Sequence, residues 1–192
     1  MAAFASDPQA VLLNGLYGVG KSTVAVEMAD RLEAAGQRYA ALDLDWLAWG
    51  WASDGEPAGG RDDDHPTASP LLLEHLGLLV GSYRRRGNDR FVLAGSIASD
   101  DDLRAVRATL GMPLTVILLT ASLEVVRERL AREPTSGRQD DARQTERWTD
   151  ATSGPERVAA DLRLDADRPV GDIAAEILDW LGWLSADPSP SD

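Results

Sequence analysis

The stretch that most constrains the fold is residues 15–22, Gly-Leu-Tyr-Gly-Val-Gly-Lys-Ser, which follow the pattern G-x-x-x-x-G-K-S. Before it, a short apolar run at residues 10–14 predicts one buried strand. After it, apolar residues recur every four positions and predict one face of a helix, namely Val24, Met28 and Leu32. Gly36 is placed to end that helix. A strand, a glycine-rich turn and a helix in this order predict a P-loop, whose backbone N–H groups and helix N-terminus bind phosphate.

Lys21 is the only lysine of the chain. The other eighteen of its 19 Lys and Arg residues are arginines. A lysine supplies a compact point charge that the planar guanidinium does not. We therefore predict that Lys21 reaches the β- and γ-phosphates of a nucleotide and that the Ser22 hydroxyl binds Mg²⁺. The residues predicted to hold the nucleotide are those of the loop and its helix start: Gly15, Tyr17, Gly18, Val19, Gly20, Lys21, Ser22 and Thr23.

Chain length and charge narrow the class of protein further. The 192 residues are predicted to form one domain, residues 1–192, with a disordered tail at about 187–192. A net charge of −13 argues against nucleic acid as the main partner, and the absence of cysteine excludes disulfides and thiolate metal sites. No signal peptide and no apolar run of membrane-spanning length is found. We expect a cytoplasmic monomer or homodimer without a membrane partner.

Four further apolar runs alternate with helical patterns. The predicted strands are residues 39–44, 91–95, 114–119 and 162–164. The predicted helices begin near residues 70, 99, 122 and 172, the first three with the N-caps Ser69, Ser99 and Ser122. Such alternation predicts a three-layer α/β/α fold around a parallel sheet of five strands. Ligands of such sheets bind at the carboxyl ends of the strands, where the loop, the Asp43/Asp45 pair and Gly95/Ser96 all fall.

Two carboxylates, Asp43 and Asp45, follow the second predicted strand. They lie two positions apart on the strand end, so their side chains are predicted to point the same way, because strand side chains alternate. Phosphoryl transfer needs held phosphates, neutralised charge and an aligned hydroxyl. We predict that Asp45 is the base that accepts the proton of that hydroxyl and that Asp43 supports Mg²⁺. The alternative for Asp43 is that its carboxylate closes the following turn.

Three tryptophans follow this pair: Trp46, Trp49 and Trp51. They are interpreted either as a wall of the acceptor pocket, with Trp46 contacting the substrate, or as residues that pack an irregular segment onto the core.

Three stretches together resemble the small P-loop kinases, which include gluconate kinase, shikimate kinase, adenylylsulfate kinase and chloramphenicol phosphotransferase. They are the loop itself, Leu-Asp-Leu-Asp at residues 42–45, and Leu-Thr-Ala-Ser-Leu-Glu-Val-Val-Arg-Glu-Arg-Leu-Ala-Arg at residues 119–132. The resemblance extends from about residue 11 to 184. It implies the P-loop NTPase fold, ATP and Mg²⁺ as cofactors, and a small lid at about 133–147.

The resemblance also implies roles for single residues. Asp45 would contact the acceptor, Arg129 and Arg132 would clamp the phosphates, and Arg138 would reach the substrate from the lid. Residues 164–169, with Arg168, resemble the loop that passes the adenine ring. The alternative for Arg129 and Arg132, three positions apart, is a solvated helix face paired with neighbouring glutamates.

The third predicted strand departs from the pattern of many relatives. It ends in Ala94, Gly95 and Ser96, where an acidic residue is common. Metal support then comes from Ser22 and the Asp43/Asp45 pair, or Ser96 touches the acceptor instead.

The leading hypothesis from the sequence is therefore an ATP-dependent kinase that phosphorylates a hydroxyl of a metabolite, nucleoside or antibiotic. A nucleotide or nucleoside kinase and a non-catalytic ATP-binding resistance or regulatory protein stay open as alternatives. A regulatory GTPase is disfavoured because its Asn/Thr-Lys-x-Asp stretch needs a second lysine. A motor of the AAA type would need a longer chain. The polar lid, which lacks an apolar period, is expected to be mobile without ligand.

Overall fold

The computed structural model describes residues 7–47, 67–132, 136–150 and 154–184. Five strands form one parallel sheet in the order β2-β3-β1-β4-β5. They are β1 (Gln9–Asn14), β2 (Tyr39–Asp43), β3 (Arg90–Ala94), β4 (Leu114–Thr120) and β5 (Leu162–Asp165). The predicted fold class, a P-loop NTPase-like α/β fold with five parallel strands, is confirmed.

Helices connect the strands. They are α1 (Lys21–Ala34), α2 (Leu44–Leu47), α3 (Pro70–Arg85), α4 (Asp100–Leu110), α5 (Leu123–Ala131), α6 (Ser136–Asp150) and α7 (Val170–Trp180), and a 3₁₀ turn spans Pro155–Arg157. The three predicted serine N-caps are confirmed, because each hydroxyl accepts a hydrogen bond from the backbone N–H three residues on. No helix in the described part of the chain is long and apolar enough to cross a membrane.

Both faces of the sheet are covered, as a parallel sheet requires. Successive strand residues point to opposite faces, and the side chains of Leu12 and Leu13 in β1 are both fully buried. Leu13 packs in a core with Met28 of α1 and Ile177 of α7. Leu12 packs in a second core with Leu76 of α3. The first of these cores fixes α1, and with it the P-loop, against the sheet.

The buried side chain of Asn14 joins two strand ends at the carboxyl edge of the sheet. Its amide Nδ2 donates to the backbone oxygen of Ile97 (3.0 Å), and its Oδ1 accepts from the N–H of the same residue (2.9 Å). This pair of bonds fixes the segment after β3 to the end of β1, directly beside the P-loop. No sequence motif predicts this role of Asn14.

One expectation about local structure was wrong. β2 ends at Asp43, and Asp45 lies in the helical turn α2, so the two side chains do not point the same way along one strand. The polar segment assigned to a lid contains the 15-residue helix α6, which was not predicted. It forms a helix because tertiary contacts with the P-loop and α5 replace the missing apolar stripe. Trp49, Trp51 and the tail at 187–192 lie outside the described residues.

Candidate functional site

The P-loop connects β1 to α1 through glycines in backbone conformations that other residues rarely adopt. Gly15 has a φ of 145°, and a Cβ there would lie 2.5 Å from the backbone oxygen of Leu119 in β4. Gly18 has a φ of 80°, and its Cβ would lie 2.7 Å from Cγ of Leu130 in α5. The loop therefore packs closely on its neighbours, and α1 begins behind it with its positive dipole end towards the loop.

The ammonium group of Lys21 lies within the turn of the loop. Its Nζ donates to the backbone oxygens of Gly15 (3.1 Å) and Leu16 (3.0 Å), and the residue is only 5% exposed. The same Nζ lies 5.2 Å from the centroid of the Tyr17 ring, within cation–π range. The loop thus holds its one lysine in a fixed position at the place where backbone N–H groups face an anion.

Ser22 and Asp43 meet directly across the site. The Ser22 hydroxyl, at the start of α1, donates to Oδ2 of Asp43 at 2.7 Å. The other carboxylate oxygen of Asp43 accepts from the backbone N–H of Asp45 at 3.0 Å. Asp43 therefore closes the turn after β2, the alternative given above. Its carboxylate also contacts the Ser22 hydroxyl, and its support of Mg²⁺ stays a prediction.

These two residues suit Mg²⁺ by chemistry. The ion prefers hard oxygen ligands and is commonly held by one or two protein oxygens together with waters and phosphate. A hydroxyl and a carboxylate oxygen lie 2.7 Å apart here, beside the P-loop. Among the described residues there is no cluster of three or more acidic or histidine side chains that could hold an ion without such help.

Arg129 and Arg132, which the sequence treats alike, lie in different surroundings. Arg129 donates through Nη1 to the backbone oxygen of Val19 in the P-loop (2.9 Å) and through Nη2 to that of Ala166 after β5 (3.1 Å). Arg132 is 70% exposed and pairs with Glu128 at 2.7 Å, the alternative given above. Arg129 is thus part of the site in this structure, whereas Arg132 lies at its edge in solvent.

The segment after β5, which resembles the adenine-side loop, lies next to Arg129. Asp167 stands 3.8 Å from the Arg129 guanidinium and accepts from the backbone N–H of Ser122 (3.3 Å). Arg168 pairs with Glu176 of α7 at 2.8 Å. The loop is therefore attached both to α5 and to α7.

The residues predicted to contact the acceptor are not gathered into one pocket. Ser96 is buried and donates to the backbone oxygen of Gly15 at 2.9 Å, so its hydroxyl supports the P-loop. Gly95 packs under Leu44, where a Cβ would lie 2.8 Å from Cδ1 of that leucine. Trp46 is 68% exposed. Asp45 is half-buried and Thr23 is exposed. The side chain of Arg138 lies outside the described residues.

The structure instead places part of α6 beside the loop, which the sequence analysis missed. The ring of Trp148 stacks on Tyr17, and Thr145 is buried against the same loop residue. A cavity of about 240 Å³ lies between the loop and the 3₁₀ turn; its lining residues are Leu16, Trp148, Thr149, Gly154, Pro155, Glu156 and Arg157. A single tryptophan in an otherwise polar segment was the one available signal for this contact.

The contrast between the two arginines gives a stability prediction. Arg129→Ala removes two hydrogen bonds from a charged donor to loop carbonyls and should lower the free energy of unfolding by about 1.5 kcal/mol. Arg132→Ala removes only an exposed ion pair and should change it by less than about 0.5 kcal/mol. Urea unfolding of the two variants beside the parent protein measures both values. Equal losses would contradict the structural role assigned to Arg129.

Comparison with known proteins extends these observations. A protein-family model described as AAA domain (AAA_33) matches residues 11–157, more than half of the chain. No curated protein sequence matches. Three solved structures resemble nearly the whole chain. They are an APS kinase of Mycobacterium tuberculosis (22% identity, TM-score 0.59, covering 92% of this chain and 98% of that one), a tunicamycin resistance protein of Deinococcus radiodurans (19%, 0.57, 92% and 96%) and a shikimate kinase of Acinetobacter baumannii (18%, 0.54, 96% and 98%).

At these identities the structural likeness establishes the fold alone, and it confirms the resemblance to P-loop kinases at that level. The family model covers the P-loop, both aspartates after β2, and Arg129 and Arg132. The chain therefore belongs to the AAA domain family AAA_33, and its fold is that of the small P-loop kinases.

Proposed function

We propose that the protein is an ATP-dependent phosphotransferase that moves the γ-phosphate to a hydroxyl group of a small molecule. The acceptor is a metabolite, a nucleoside or an antibiotic. A nucleotide or nucleoside kinase is the nearest alternative enzyme, and a protein that binds ATP without turnover is the alternative outside enzymes.

The observation that carries this proposal is the meeting of Lys21, Ser22 and Asp43 at the carboxyl edge of the sheet. The lysine is held within the loop, and one residue further along the chain a hydroxyl touches a carboxylate from a different strand. A site that only bound an anion would not need that carboxylate, because it repels phosphate. A carboxylate is useful there when a divalent cation stands between it and the phosphates.

Each residue then has a definite task. The loop N–H groups and Lys21 hold the β- and γ-phosphates, and Ser22 with Asp43 holds Mg²⁺. That ion supplies neutralisation of phosphate charge when it is bound. Asp45, in the turn fixed by its backbone bond to Asp43, accepts the proton of the acceptor hydroxyl as the group attacks. The geometry supports this division of roles, because Asp43 has both carboxylate oxygens engaged and faces Ser22.

Arginines complete the charge balance of the site in this proposal. Arg129 keeps the P-loop and the segment after β5 at a constant separation, so that the nucleotide spans a preformed gap between them. Arg132 leaves Glu128 and clamps the transferring phosphate, and Arg138 reaches the substrate from α6. Arg168 borders the adenine.

The similar structures agree with this assignment in general terms. The Mycobacterium tuberculosis APS kinase was solved with AMPPNP and APS, and the Acinetobacter baumannii shikimate kinase with shikimate. Both of these proteins are kinases, which favours turnover over sequestration for this chain. The Deinococcus radiodurans tunicamycin resistance protein keeps an antibiotic among the acceptors worth testing.

The deciding experiment measures ADP release with Mg²⁺ and ATP in the presence and absence of candidate acceptors. The acceptors are chosen beforehand by a thermal-shift screen with a non-hydrolysable ATP analogue, because a bound ligand raises stability by mass action. We expect at least one hydroxyl compound to increase ADP release and to gain phosphate. Tight binding of ATP with no acceptor-dependent release across sugars, nucleosides, hydroxy acids and antibiotics would favour the sequestering protein.

Lys21→Ala tests the phosphate-binding role. The variant loses a buried charge that stabilises the phosphate oxygens in the bound state and in the transition state, so turnover should fall at least ~100-fold. The rate of ADP release at saturating acceptor measures this loss. Unchanged turnover would refute the proposed use of the P-loop.

Asp43→Asn and Asp45→Asn form a matched pair that separates metal support from base catalysis. Asp45→Asn should lower kcat by roughly 10²–10⁴-fold, the range for a general base, and leave nucleotide binding almost normal. Asp43→Asn should instead shift the Mg²⁺ concentration needed for half-maximal rate upwards, because a metal-side oxygen loses its charge. Titration of the rate with Mg²⁺ in both variants measures the two effects. Reversed results would exchange the two roles.

A further inference from the structure

Helix α6 contacts the P-loop at Tyr17. The indole ring of Trp148 stacks on the Tyr17 ring, with the centroids 5.3 Å apart and the planes 12° from parallel. One turn earlier in the helix, the Thr145 hydroxyl donates to the backbone oxygen of Tyr17 at 3.4 Å, and Thr145 is only 1% exposed. Both the side chain and the backbone of this loop residue are therefore held by α6.

Tyr17 in turn contacts the lysine of the loop. The Lys21 Nζ lies 5.2 Å from the centroid of the Tyr17 ring, and it donates to the carbonyls of the two residues before Tyr17. A continuous path of contacts thus runs from Trp148 through Tyr17 to the ammonium group. The electron-rich face of an aromatic ring attracts a cation, and stacking on a second ring restricts where that face can lie.

Trp148 itself has little freedom to move away from Tyr17. Gly154, beyond the end of α6, passes so closely that a Cβ there would lie 3.1 Å from the Cβ of Trp148. The backbone N–H of Gly154 donates to Ala98 in the segment after β3 (3.2 Å), so the chain that backs the indole is tied to the sheet edge. An ion pair between Arg127 of α5 and Glu146 of α6, at 3.3 Å, adds a contact along the helix.

We propose that Trp148 is a positioning residue for Lys21 and acts through Tyr17. The stacked pair fixes the ring beside the ammonium group, so that Lys21 is already in place when a polyphosphate enters the loop. This inference rests on the proposed function, because it assumes that the phosphates of a nucleotide are what Lys21 binds. It assigns a role to α6 that differs from that of a lid carrying arginines.

The test compares the affinity of the full-length protein for Mg²⁺ and the ATP analogue AMPPNP among variants, by calorimetry. Trp148→Ala should weaken binding by about tenfold, the upper range for one stacked aromatic pair, and Trp148→Phe should restore it to within about threefold. Trp180→Ala, a change of the same residue type at a half-exposed position in α7, is the matched control and should bind normally. Trp148→Leu, which keeps apolar volume but cannot stack, replaces Trp148→Ala if the latter fails to fold.

A double-mutant cycle separates positioning from a merely structural role. In a Tyr17→Leu background, Trp148→Ala should cause no further loss of AMPPNP affinity, because the intermediary is already absent. Urea unfolding of the same variants reports stability separately. A Trp148→Ala protein that is less stable but binds AMPPNP like the parent overturns the inference, and so does an undiminished effect of Trp148→Ala in the Tyr17→Leu background.

The two hypotheses fail in different ways. If the parent protein does not bind AMPPNP at all, the proposed function is wrong and the positioning role falls with it. If the parent binds and transfers phosphate but the Trp148 variants bind equally well, only the positioning role is wrong.

Discussion

The site depends on a cation buried in a turn of backbone. A charge removed from water needs polar partners, and Lys21 finds them in the carbonyls of Gly15 and Leu16. Those carbonyls can face the ammonium only because Gly15 has a positive φ and leaves no Cβ against the oxygen of Leu119. The position of Lys21 thus depends on a glycine at residue 15 and on the close approach of the loop to β4. A phosphate that enters the loop meets a positive charge whose solvation has already been replaced by protein dipoles.

The three-layer arrangement could be predicted because a strand that is buried on both faces of its sheet has a continuous run of apolar residues. Leu12 and Leu13 are adjacent and both fully buried. Their side chains point to opposite faces of the sheet, so neither face of this strand is exposed to solvent, as one face of an antiparallel strand often is. The serine N-caps could also be predicted from the sequence, because each serine hydroxyl accepts a hydrogen bond from a backbone N–H in the first turn of its own helix. The end of β2 was placed one residue too late because nothing in Leu-Asp-Leu-Asp distinguishes a strand end from a short helical turn. The hydrogen bond from the Asp45 N–H to the Asp43 carboxylate stabilises the helical turn after the strand, and this bond exists only once the turn has formed.

Site residues could be predicted where a motif requires one residue type at one position. They could not be predicted where a residue's role depends on which neighbours it packs against in the folded protein. The motif identifies Lys21 and Ser22 by chemistry alone. Arg129 and Arg132 differ only in that the first lies inside the last turn of α5, facing the loop, while the second caps the helix in solvent. The sequence between these two arginines contains no signal that distinguishes their surroundings. The contact of Trp148 was missed because α6 is otherwise polar and has no apolar period for a sequence pattern to detect.

The attachment of α6 to the rest of the molecule has a consequence for how the site responds to ligand. The ion pair between Arg127 and Glu146 has both side chains more than half exposed, so it contributes little to holding the helix. Two further contacts, Trp148 on Tyr17 and Thr145 on the Tyr17 backbone, both involve one residue of the P-loop. A ligand changes the position of an element only through a difference in its free energy of interaction with the two positions. Because α6 and Lys21 share Tyr17, any ligand that moves the ammonium group changes the energy of the docked helix, and the converse holds for any acceptor that contacts α6. The positioning role proposed for Trp148 thus predicts a coupling between the two sides of the site that passes through the Tyr17 ring.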